Sequence, residues 1–207
     1  MSSRSPHFRP HLRKDAELDK IIADHPPLAA ALKRKPRVVE TFDVPDTGGY
    51  DRRRDVDDVF IDRHLHEAAP TIEGKAYSVW REALVGHEWL EKLLIQILGY
   101  TYEGAHEFAS MWENRILKRM GMRPHVYNTA LKPFIKRART ETIVRPPPTI
   151  DCTPYRGERD PDDQRIMARF KQLGVQDAKP PNAKSKATRP IGPPLNHRLH
   201  AKWRGAA

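Results

Sequence analysis

Between Lys75 and Leu98 apolar residues recur at helical spacing, yet two ionisable residues stand in the middle of the apolar stripe. On a wheel of about 100° per residue, Trp80, Leu84, Leu94 and Leu98 share one face, and His87 and Glu91 fall at its centre. Burying such groups without partners costs roughly 2–7 kcal/mol each. Any fold that uses this helix must therefore bring something to meet them.

The next residues supply it. Gly99 suits a left-handed helix end, and Thr101 suits the cap of a new helix, so a tight turn is expected over Gly99-Tyr100-Thr101. From Thr101 to Met120 the inward stripe reads Tyr102, His106, Ala109, Ser110, Glu113, Leu117 and Met120. A His and a Glu again occupy core positions, with small residues between them. The spacing predicts an antiparallel helical hairpin over 74–120. Folded back about Tyr100, it sets Glu113 level with His87 and places His106 about one turn nearer the loop. The candidate metal ligands are thus His87, Glu91, His106 and Glu113.

Composition limits what can join them. The one cysteine, Cys152, excludes an intramolecular disulfide and a multi-cysteine metal site, so an ion here must be held by nitrogen and oxygen. It also fits a reducing, cytoplasmic setting. No apolar run approaches the ~20 residues of a membrane span, and no apolar stretch follows the basic start as in a secretory signal, so no membrane partner is expected. With 38% hydrophobic residues and 19 prolines, one modest core is expected over 14–175. Residues 1–13 and a basic tail, 176–207, are expected to be disordered. The net charge of +10 lies on the ends and on a third helix, while 71–122 is close to neutral.

Around the hairpin the chain reads as mainly α with a small β element. Short helices are expected near Asp15–Asp24 and Leu28–Lys33. An antiparallel strand pair is expected from Arg37–Val44 and Val56–Leu65, with Gly48-Gly49 in the turn-rich connection. His64 and His66 alternate onto one face of the second strand, where they could chelate an ion. The third helix starts at Pro124, runs to about Thr142 and carries Lys132, Lys136, Arg137 and Arg139, a basic face for nucleic acid or another anionic partner. Pro146-Pro147-Pro148 opens an extended arm over 146–160, laid on the core by Ile150 and Tyr155. A last short helix starts at Asp160-Pro161 and ends at Gly174.

A His at i with a Glu at i+4 puts imidazole and carboxylate on one helix face, a spacing that can chelate a divalent ion. Glu88 projects about 100° away, beside such an ion rather than on it. At His87-Glu88-Trp89-Leu90-Glu91 the segment resembles the zincin metallopeptidases, above all the gluzincin arrangement. The resemblance implies His87 as first ligand, Glu88 as general base and Glu113 as downstream ligand. It implies zinc as the ion, a peptide or protein as substrate, and the Val59–Ile61 strand as the sheet edge that aligns that substrate. The chain departs from the pattern where the second motif histidine is Glu91; His106 would restore a set of two His and one Glu. A zinc-dependent hydrolase is the function this implies, with iron or manganese as other ions. Two alternatives stand beside it. Glu103-x-x-His106 matches one of the two Glu-x-x-His elements that di-iron carboxylate bundles need. In a non-enzymatic protein that binds nucleic acid or protein, His87–Glu113 and Glu91–His106 would pair across the hairpin without metal.

Overall fold

The computed structural model describes residues 10–156 and 160–176, with side chains from residue 15. The terminal segments 1–9 and 177–207 lie outside it, and with them most of the expected disordered ends. Residues 10–13, expected to be disordered, open the first helix, α1 (Pro10–Asp24). A second, α2 (Pro26–Leu32), follows directly, with prolines in its first turn where their missing N–H groups cost nothing.

The predicted hairpin is the centre of the molecule: α4 (Tyr77–Leu98) and α5 (Tyr102–Arg119). Gly99 takes the left-handed conformation, φ 71°, and the Thr101 hydroxyl accepts from the Gly104 N–H at 3.3 Å, so both turn signals act as the sequence predicts. α4 is more deeply set than a one-stripe helix. Every residue from His87 to Leu94 is buried, because α5, α2 and a small sheet cover it from different sides.

That sheet corrects the predicted strand pair. β1 (Arg37–Phe42) and β3 (Asp58–Asp62) do pair, but in parallel, with Val38 opposite Val59. The expected turn contains a third strand, β2 (Gly48–Tyr50), antiparallel to β3, giving the order β1-β3-β2. One extra strand reverses the chain once more, so β1 and β3 must run the same way. β3 is therefore central and buried along its length, and Val59–Ile61 is not an edge onto which a peptide can add. The strand ends at Asp62. His64 precedes a one-turn helix, α3 (Leu65–Ala68), that contains His66, and the two do not share a strand face. His66 instead packs edge-on against Tyr77, ring centroids 5.0 Å apart.

The sheet has apolar residues on both faces. Val59 and Ile61 join the core around Trp80, Leu90 and Leu94, while Phe60 points the other way with Val44, Ile150, Tyr155, Ile166 and Phe170. A two-stranded ribbon, β4 (Thr71–Ile72) and β5 (Lys75–Ala76), leads into α4, and α6 (Pro124–Thr140) closes over it through Tyr127, Leu131 and Phe134. The proline-rich arm lies along β2: the Arg52 N–H donates to the Thr149 carbonyl at 2.9 Å and the Asp151 N–H to that of Tyr50 at 3.0 Å. Ile150 and Tyr155 are buried as the sequence predicts. A 3-10 turn (Thr153–Tyr155) then leads toward α7 (Pro161–Gln172), capped by Asp160, whose side chain accepts from the Asp162 N–H at 2.9 Å. Mainly helical architecture with a small sheet is thus what forms. Among the described residues no helix is long and apolar enough to cross a membrane.

Candidate metal centre

Three of the four predicted ligands converge on one point between α4 and α5. His87 Nε2 lies 3.2 Å from His106 Nδ1, His106 Nδ1 lies 2.8 Å from Glu91 Oε2, and His87 Nε2 lies 3.6 Å from that same oxygen. Ligands about 2.0–2.1 Å from a tetrahedral ion stand roughly 3.4 Å from one another. The observed triangle brackets that value, so the residues present could hold an ion. His87 and Glu91 are buried, whereas the His106 side chain is 43% exposed and opens the cluster to solvent.

His106 Nδ1 is the atom the cluster shares: Glu91 Oε2, His87 Nε2 and, at 3.5 Å, the Tyr102 hydroxyl all surround it.

Glu113 reaches the cluster as predicted but stands on the far side of His87. Its Oε2 is 3.2 Å from Nδ1, the ring nitrogen that faces away from Glu91 and His106. Its other oxygen accepts from the Tyr127 hydroxyl of α6 at 2.8 Å. Burial works against charge on His87, but hydrogen bonds with Glu113 and Glu91 outweigh it and raise its pKa well above the usual value. Burial likewise opposes the charge on Glu91, and the bonds from His106 and His87 prevail, holding its pKa below the ordinary range.

Glu88 is in a different state. It is 8% exposed, and among the described residues no group hydrogen-bonds its carboxyl. Burial pushes its pKa up to about 8, with the Glu91 and Glu113 carboxylates adding to the shift and His87 opposing it. It lies against β2. A Cβ on Gly48 would come within 2.9 Å of Glu88 Oε1 and 3.0 Å of its Cγ, so a larger residue here would have to push the Glu88 side chain aside. The turn that delivers Gly48 needs Asp46 at φ 79°, a left-handed conformation aspartate tolerates better than most residues, and Arg139 holds the Asp46 carboxylate at 3.0 Å.

Gly48, Asp46 and Tyr127 escape the sequence reading. A Gly-Gly pair reads as a turn, and nothing local marks a helix tyrosine as reaching a carboxylate fourteen residues before it. Glu103 is exposed at the start of α5 and takes no part, leaving the di-iron element without its acid. Of the basic residues of α6, Lys132, Lys136 and Arg137 are exposed, with Arg137 3.2 Å from Glu141. Arg139 does not join them: it is committed to Asp46 and, at 2.5 Å, to Asp163. The expected basic tail lies outside the described residues.

Comparison with known proteins returns no match among family models, curated proteins or solved structures.

Proposed function

We propose that the chain is a zinc-dependent hydrolase whose ion is held by His87 Nε2, Glu91 Oε2 and His106 Nδ1. The convergence of these three atoms at ligand-to-ligand spacing carries the reading. Two imidazoles and one carboxylate suit zinc, and iron or manganese are the competing ions for the same donors. When bound, zinc supplies Lewis-acid activation of water and of a polarised substrate bond.

The chain's own residues do the rest. Glu88, next in sequence to a ligand and without a hydrogen-bond partner among the described residues, is the group available to carry a proton; a pKa of about 8 lets it exchange one near neutral pH. Tyr102, beside His106 at the solvent-facing side, borders the space through which a substrate must come. A peptide or other acyl substrate would enter there, since β3 offers it no edge.

One observation favours a second reading. With no ion, a protonated His87 bridges Glu113 and Glu91, and the cluster is then a satisfied buried ion network in a non-enzymatic protein. The deciding experiment is metal analysis of tag-free protein offered zinc, iron and manganese in turn, followed by turnover of a fluorogenic peptide library. Under the hydrolase reading wild type binds one equivalent, and Glu88→Gln keeps the metal but loses turnover. No stoichiometric metal rejects it.

A further inference from the structure

We infer that Glu113 and Tyr127 form a positioning relay which fixes the nitrogen of His87 that faces the centre, making α6 part of the metal site. The inference deepens the metal reading above and rests on it. An ionised carboxylate only accepts hydrogen bonds. One oxygen of Glu113 takes the Tyr127 hydroxyl at 2.8 Å, and the other lies 3.2 Å from His87 Nδ1. For that second contact to be a bond, Nδ1 must bear the proton. In the neutral imidazole that metal binding requires, Nε2 is then the nitrogen whose lone pair remains, and it is the one that meets Glu91 and His106.

Glu113 acts through the imidazole rather than beside it, so its role differs from that of a downstream ligand. Tyr127 is 1% exposed, its hydroxyl reaches Glu113, and its ring packs edge-on against Trp80 of α4 at 5.8 Å. α6 is itself tied down at its start, where the Arg123 N–H and guanidinium both donate to Glu73, at 2.7 and 2.6 Å. The relay thus runs from the start of α6 through Tyr127 and Glu113 to His87 Nδ1. Groups that orient a ligating histidine in this way typically change metal affinity ten- to hundredfold when removed.

The test measures zinc affinity by chelator competition and the His87 ring nitrogens by long-range 1H–15N NMR, in wild type, Tyr127→Phe and Glu113→Gln. Zinc-loaded wild type should show the proton on Nδ1 and zinc on Nε2. Tyr127→Phe should weaken zinc about tenfold, and Glu113→Gln by ten- to hundredfold. Neither should change the band pattern of the cobalt(II)-substituted protein, since no ligand is lost. Zinc on Nδ1, an unchanged affinity in Tyr127→Phe, or a cobalt spectrum altered by Glu113→Gln overturns the relay. If wild type takes up no zinc, the metal reading fails and the relay as part of a metal site fails with it, whereas zinc bound with any of those three results overturns the relay alone. Should a variant fail to fold, the nitrogen that carries the proton in wild type still supports or overturns the relay.

Discussion

Replacing Glu88 by Gln should stabilise the metal-free protein, and the gain should grow with pH. In the folded chain burial raises the carboxyl pKa from 4.5 to about 8. Below pH 4.5 the group is protonated in both states and shifts nothing. Between 4.5 and 8 the unfolded chain releases a proton that the folded chain keeps, so the native state binds more protons and stability falls as pH rises. At pH 7 the interval is about 2.5 units, which at about 1.4 kcal/mol per unit amounts to roughly 3 kcal/mol. The figure is an upper bound, because His87 and Glu91 share the same field. Glutamine has nearly the same shape, fits against Gly48 and never ionises. Urea unfolding from pH 4.5 to 8, with chelator present, should show a gap that opens from near zero to about 3 kcal/mol at pH 7. A gap that does not vary with pH, or a Gln variant less stable than wild type at pH 7, refutes the assignment of Glu88 as an acid that burial keeps protonated.

Three further outcomes follow from the packing. Gly48→Ala puts a methyl 2.9 Å from Glu88 Oε1 and should cost about 1–3 kcal/mol in urea melts; adding Glu88→Ala should recover part of that loss, which independent sites would not. His106→Ala should abolish stoichiometric zinc in elemental analysis and destabilise the metal-free fold by about 1–3 kcal/mol, since Glu91 loses its 2.8 Å partner. Ile150→Ala empties a fully buried site between the arm and β2 and should cost roughly 2–5 kcal/mol by the same melts.

Helical periodicity made the hairpin legible, because it is local: His87, Glu91, His106 and Glu113 break an apolar pattern, and only a partner across the turn explains all four. The turn was legible too, since Gly99 and Thr101 have conformational reasons to be where they are. Two of the three strands were legible as well, but the sheet's topology was not, for a physical reason. Strand pairing is non-local, and β2 is three residues long with two glycines, whose value lies in what approaches them: the Glu88 carboxyl at Gly48 and Ile150 at Gly49. Missing β2 made the chain one reversal short, and so turned a parallel pair into an antiparallel one. The roles of Glu113 and Arg139 were hidden in the same way. A helical wheel assigns a face but not a distance, and it could not show that Glu113 meets the outer nitrogen of His87, or that Arg139 turns inward to Asp46 and Asp163.

The two readings of the cluster use identical residues and differ in what joins them. Without metal, His87 is shared between Glu91 and Glu113 while His106 also meets Glu91 at 2.8 Å, whereas a divalent ion beside neutral imidazoles would itself supply the positive charge. An ion bound by the folded chain and not by the unfolded one adds RT ln(1 + [L]/Kd), about 4 kcal/mol when free zinc is 1,000 times Kd. For a chain of 207 residues, at roughly 2–4 °C per kcal/mol, that raises the melting temperature by about 8–16 °C. Differential scanning fluorimetry of wild type with zinc, with chelator, and of His87→Ala with zinc separates the cases. A metal centre gives a high melting point that chelator removes and that His87→Ala never reaches. A purely ionic pair gives a wild-type melting point indifferent to both additions, with His87→Ala lower in each, because it takes from the buried Glu91 and from Glu113 the partner they share.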